Sequence, residues 1–127
     1  MPIHYRIDPT TQTVYETWTG TVNAEQLGAY WSASLRKDEF LTCGKTIADV
    51  RAADVELVGA DLQVLIQGIA VPLLAGRRWL TAVVVASPSQ FGTARQYEVF
   101  SEVFSTGGIF HDLESAEAWL AAQSEGR

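Results

Sequence analysis

The residues of this chain that could do chemistry are few. They are the run Ser87-Pro88-Ser89-Gln90-Phe91-Gly92 with Arg95 behind it, the run Asp49-Val50-Arg51, and the adjacent pair His111-Asp112. A helix starting at Ser89 leaves free N–H groups pointing outward, so Ser87, Ser89 and the amides of Gln90 to Gly92 suit an anion. Gly92 would let a ligand approach the backbone, and Arg95 sits early in that helix, where the dipole disfavours a cation unless an anion is near. The plainer alternatives are that Ser89 simply caps the helix and that Arg95, Glu98 and Glu102 form a solvated polar face. Asp49 could hold a ligand hydroxyl or could close its own loop by an Asx-type bond. His111 and Asp112 are the one His–acid pair near these positions. Neighbours on a strand point to opposite faces, so Asp112 reads better as a helix cap than as a catalytic partner. The expected ligand-binding set is therefore Asp49, Arg51, Ser87, Ser89, Gly92 and Arg95, with no catalytic set, no metal and no cofactor.

Those residues need elements to position them. Leu80 to Ser87 contains the unbroken apolar run Ala82 to Ala86, as a parallel strand buried on both faces requires. The turn after such a strand is where open α/β sheets usually bind ligands. Ile3 to Ile7 and Thr13 to Trp18 flank Asp8-Pro9-Thr10-Thr11 and predict a hairpin. Asn23 with Gln26 forms a capping box, and Val22 with Leu27 a staple, opening a first helix that presents Leu27, Tyr30, Trp31 and Leu35. Lys45 to Val50 predicts a short third strand ending at Asp49. A second helix over Leu57 to Val71 should stop or kink before Pro72. A third runs from Ser89 to about Ser105 and is ended by Gly107-Gly108. Ile109-Phe110-His111 is a short fifth strand, and Asp112 caps a last helix that frays beyond Gln123. The order is ββαβαβαβα, with the helix-connected strands parallel. Their ends at Asp49, Ser87 and His111 define one rim.

Composition narrows the classes. The chain has 127 residues, 47% hydrophobic and 19% charged, enough for one domain, residues 1–123, followed by a short tail. A net charge of −6 with no basic stripe argues against nucleic acid and anionic membranes. The single cysteine, Cys43, allows no internal disulfide or multi-cysteine metal site and reads as a small hydrophobe. His4 fills a surface position on the hairpin. No apolar stretch is long enough to span a bilayer and the N-terminus has no leader pattern, so a cytoplasmic setting is expected.

The element order, together with Ala48-Asp49-Val50-Arg51 and the following run to Leu65, resembles the STAS domain, the sulfate-transporter and anti-sigma-factor-antagonist fold. Phe91-Gly92-Thr93-Ala94-Arg95, Phe110-His111-Asp112 and Glu117-Ala118-Trp119-Leu120 strengthen a resemblance to the SpoIIAA-like family of small bacterial proteins. The resemblance implies a mixed STAS-type α/β sheet and a noncatalytic regulatory or binding role. In sigma-factor antagonists a serine opening the second helix is phosphorylated. Here that stretch is Val58-Gly59-Ala60-Asp61-Leu62, with no hydroxyl to modify, so that switch is not expected to operate there.

The second helix is apolar over most of its circumference, and Val64, Val71 and Leu74 call for additional cover. That cover could be the chain itself, a second copy in a homodimer, or an apolar ligand. The expected function is thus noncatalytic binding of a protein partner or of a small anionic or amphipathic ligand, with the chain acting as a homodimer. The rivals are a small hydrolase or isomerase using His111 and Asp49, and a lipid carrier by analogy with the distantly related CRAL-TRIO fold.

Overall fold

The structure, a computed structural model, describes residues 2–125. Its strands are β1 (Ile3–Asp8), β2 (Thr13–Asn23), β3 (Lys45–Glu56), β4 (Trp79–Val84) and β5 (Ser105–Phe110). They lie side by side in chain order, with β1 antiparallel to β2 and every later pair parallel. The helices are α1 (Ala24–Ser34), α2 (Asp38–Cys43), α3 (Gly59–Leu65), α4 (Val71–Leu74), α5 (Pro88–Phe100) and α6 (Leu113–Glu125), with a π-helical turn at Ile66–Ala70 joining α3 to α4. This is the mixed α/β sheet expected from the apolar run in β4. That strand lies between two parallel neighbours, and its side chains alternate between two cores. Trp79 and Val83 face α1, α3 and α5, whereas Leu80, Ala82 and Val84 face Ala116 and Leu120 of α6.

Several boundaries differ from expectation, each for a physical reason. β3 does not end at Asp49. Its pairing with β4 stops at Asp49–Val84, but β2 extends to Asn23 and carries β3 on to Glu56. A bulge occurs there: Thr17 pairs with Asp49 and Thr19 with Ala52, so one extra β3 residue shifts the inward phase from Thr46, Ala48 and Val50 to Ala53.

The chain does not leave helical geometry before Pro72. The π turn widens the helix, and the Val71 N–H donates to the Ile66 carbonyl. That accommodates a ring that would otherwise strike the Gly68 carbonyl. The third helix ends at Phe100, and Gly107 and Gly108 lie inside β5. A Cβ on Gly108 would stand 2.8 Å from the Phe110 ring, so the glycine is required by close packing and not by a turn. α2 has no counterpart in the sequence reading. α6 runs to Glu125, and residues 126–127 of the tail expected to fray lie outside the described residues.

Where β3 outruns β4, its carbonyls need partners. Gln90, 8% exposed, supplies them: its Nε2 donates to Val50 O at 2.9 Å and Ala53 O at 3.0 Å, while its Oε1 accepts from Ala86 N at 2.7 Å. Replacing Gln90 with Leu should therefore cost about 2–4 kcal/mol by orphaning buried backbone groups. The measurement is the urea midpoint at unchanged m-value. Ser89→Ala, one residue earlier on the exposed surface, should stay within about 0.5 kcal/mol.

Candidate functional site

The rim exists at the end of β4, but its residues mostly engage one another. Asp49 and Arg51 form a two-point ion pair, Nε–Oδ1 and Nη2–Oδ2 both at 2.9 Å, and Asp49 Oδ1 also accepts from Arg51 N at 3.2 Å. The side-chain hydrogen bond from Arg51 holds the Asp49 carboxyl below the usual carboxylate range. Ser87, not Ser89, caps α5, accepting from Gln90 N at 3.1 Å. That bond consumes one amide of the expected anion cradle. The cap falls at Ser87 because Pro88 is suited to the first helical position. Ser89 is exposed, nothing stands near Gly92, and Arg95 pairs with Glu98 along the surface of α5. Asp112 accepts from Ser115 N at 2.7 Å as the cap of α6, and that bond lowers its pKa first, with Arg51 adding a smaller effect. His111 is exposed. Burial, aided by Glu39, pushes the Cys43 thiol up and away from reactive thiolate.

A different constellation lies inside. β2 alternates, with Val14, Glu16 and Trp18 pointing to the helix-covered face, so a carboxyl occupies an apolar phase. Glu16 is 7% exposed. Its Oε1 accepts from Trp18 Nε1 at 3.1 Å, and its Oε2 is 2.8 Å from the Tyr30 hydroxyl. Tyr30 arrives there because the Asn23–Gln26 capping box fixes where α1 begins, turning Leu27, Tyr30 and Ser34 inward. A Cβ on Gly28 would stand 3.1 Å from Leu65 Cδ2, so glycine permits α1 to lie close to α3.

Beside Glu16 is a cavity of about 100 Å³. Its sheet wall comes from Glu16 and Trp18 of β2, Thr46, Ala48 and Val50 of β3, and Trp79, Thr81 and Val83 of β4. α1, the π turn and α5 roof it, with Phe40 of α2 at one end, stacked on Trp79 with ring centroids 5.7 Å apart. The space is there because Ala48, Ala70 and Ala94 stand where larger side chains would fill it. Trp31 of α1 and Tyr97 of α5 meet with centroids 6.1 Å apart.

Two polar pairs lie along the wall. Trp79 Nε1 donates to Thr46 Oγ1 at 2.9 Å, and the Thr81 and Ser105 hydroxyls lie 3.3 Å apart. Burial raises the Glu16 pKa against the two hydrogen bonds that oppose it, and burial pushes Tyr97 up to about 12. An apolar cavity with a few converging polar groups and a perturbed carboxyl is the usual form of a small-molecule site. The sequence reading missed Glu16. Its signal was the charge in the inward phase of β2, but its partner Tyr30 is brought to it only by packing.

No family model and no curated protein matches the chain. Among solved structures it is similar to an uncharacterized protein of the DUF3478 family with a SpoIIAA-like fold from Shewanella loihica PV-4. That likeness has a TM-score of 0.57 and 16% identity, over 93% of this chain and 91% of that one. It is also similar to the anti-sigma factor antagonist SpoIIAA in its unphosphorylated form, with a TM-score of 0.53 and 17% identity, over 94% of this chain and 97% of that one. The chain thus has a SpoIIAA-like fold, as the sequence resemblance implied. Among the described residues no helix is long and apolar enough to cross a membrane, and no cluster of potential metal ligands occurs.

A buried carboxyl with a raised pKa leaves a signature in stability. The native state holds a proton that the unfolded chain releases, so stability present below pH 4.5, the ordinary glutamate value, falls as pH rises toward the folded pKa. Asp49, with its lowered pKa, acts oppositely and withdraws stability as pH falls below its ordinary value of 3.8. Glu16→Gln should flatten the decline above pH 4.5 while leaving the acid limb in place, read from urea titrations across pH.

Proposed function

We propose that this chain is a noncatalytic binding domain whose interior cavity holds a small, mainly apolar molecule. The observation that carries this reading is the cavity of about 100 Å³ between sheet and helices, with Glu16 on its wall. The SpoIIAA-like fold supports a binding role, since a relative of that fold is an anti-sigma factor antagonist. The position differs from the strand-end rim: the rim's charges neutralise each other, whereas the cavity lining is mainly apolar with a few polar groups. By comparison with an engineered cavity of roughly 150 Å³ that binds benzene, a ligand of about four non-hydrogen atoms fits directly and a five-membered ring fits with small side-chain shifts.

Trp18, Trp31 and Trp79 all line the space, so tryptophan emission should shift as a compound such as cyclopentane enters. Ala70→Leu and Ala94→Leu each fill the cavity and should abolish that shift while the protein stays folded. Unchanged emission and unchanged thermal stability at saturating cyclopentane would count against the reading.

A second reading adds a protein partner or a second copy of the chain, in a cytoplasmic setting. It is supported by Val58 and Val64 of the α3 region, 63% and 71% exposed. Val71 is half-buried against the core and Leu74 is fully inside it, so the chain itself supplies much of the cover that segment required. A dimer should sediment as such at tens of micromolar; a monomer there retires the homodimer.

A further inference from the structure

We propose that Glu16 serves the cavity as a carboxylic acid, donating a hydrogen bond to a neutral acceptor, so that the preferred ligand class is small carbonyl or ether compounds with an apolar body. This rests on the cavity reading above and adds the identity of the recognised group.

The hydrogens available to the Glu16 carboxyl and its two partners decide its role. Trp18 Nε1 carries a hydrogen and has no lone pair to offer, so Oε1 of Glu16 must be the acceptor end of the carboxyl. In the acid form the proton then resides on Oε2, 2.8 Å from the Tyr30 hydroxyl. That line has room for one hydrogen, yet the acid and the phenol bring one each. Tyr30 is absent from the cavity wall, whereas Glu16 is on it. With the phenol donating to Oε2, the acid hydrogen turns to the cavity as a donor seeking an acceptor.

The acid form is favoured by what surrounds it. The groups that face the carboxyl are the Trp18 indole from its own strand, the Tyr30 phenol from α1 and the Tyr97 phenol from α5; none is a cation. The wall presented by β3, the π turn and α4 near it is Ala48, Ala70 and Leu74. An ionised carboxylate without a counter-charge is costly in such surroundings. A ligand ketone meets the acid proton at no cost in charge, and its ring fills the apolar space.

Three five-membered rings separate the possibilities: cyclopentane, cyclopentanone and cyclopentylamine, titrated into the full chain while following the Trp18 indole N–H resonance. Wild type should bind cyclopentanone about three- to tenfold more tightly than cyclopentane at pH 5, and that preference should fade as pH rises and Glu16 ionises. Glu16→Gln keeps a donor in the same place, so its ketone preference should persist and no longer vary with pH. Glu16→Leu should bind both rings equally.

The acid-donor proposal is overturned if cyclopentane binds but cyclopentanone gains nothing over it. It is equally overturned if cyclopentylamine is the tightest of the three and tightens as pH rises, because that identifies an ionised carboxylate. If none of the three binds to any variant, the cavity reading itself fails and this inference fails with it.

Discussion

Handedness governs this molecule. The strands follow one another across the sheet in chain order, and each parallel step after β2 advances the same way. A right-handed crossover repeated in one direction must put every connecting helix on the same face. α1, the α3–π–α4 segment and α5 accordingly share one face, and the other is left to α6, which covers β3 to β5. The face that carries these three connecting segments is the crowded one. It is there that packing is incomplete and a cavity survives beside small residues. Close packing is the rule for protein interiors, so a void kept open by three alanines is a property of the sequence and not of the topology alone.

Within that face a single carboxyl is removed from water. Its hydrogen bonds to Trp18 and Tyr30 join β2 to α1, and T-shaped contacts of Tyr30 and Phe40 with Tyr5 extend the cluster to β1. A polar group so placed is tolerable only when satisfied, which ties the aromatic cluster to one arrangement. The opposite face has no equivalent: Tyr15 reaches Glu117 of α6 at 2.5 Å near the surface, and the contacts beneath are aliphatic and aromatic. The two faces therefore differ in kind, one a plain core and the other a core built around a buried carboxyl.

The framework was legible wherever a local signal and the tertiary requirement coincided. The Asn23–Gln26 box forms both of its bonds, at 3.1 and 2.9 Å, and Asp112 caps the helix expected of it. The apolar run in β4 told its burial because a strand covered on both faces leaves no polar phase. Legibility failed where a residue answers a distant demand. Gly108 looked like a helix stop but makes room for Phe110; Pro72 looked like a break but is absorbed by a π turn. Gln90 looked like an ordinary first-turn residue, yet it completes the hydrogen bonding of Val50 and Ala53. Ser87 and His111 follow strand ends as expected, but β3 runs past Asp49 to Glu56, and Asp49 and Arg51 satisfy each other beside its bulge.

The unpermuted strand order also bears on how the molecule is made. Each new strand docks on the one completed just before it, and no gap must be held open for a strand that arrives later. A chain emerging from the ribosome can therefore lay the sheet down vectorially, from hairpin to α6, with one helical crossover to close at each parallel step. The exposed margin of the growing sheet moves forward with synthesis, and α6 arrives last to cover the side of β3, β4 and β5 that would otherwise be sticky.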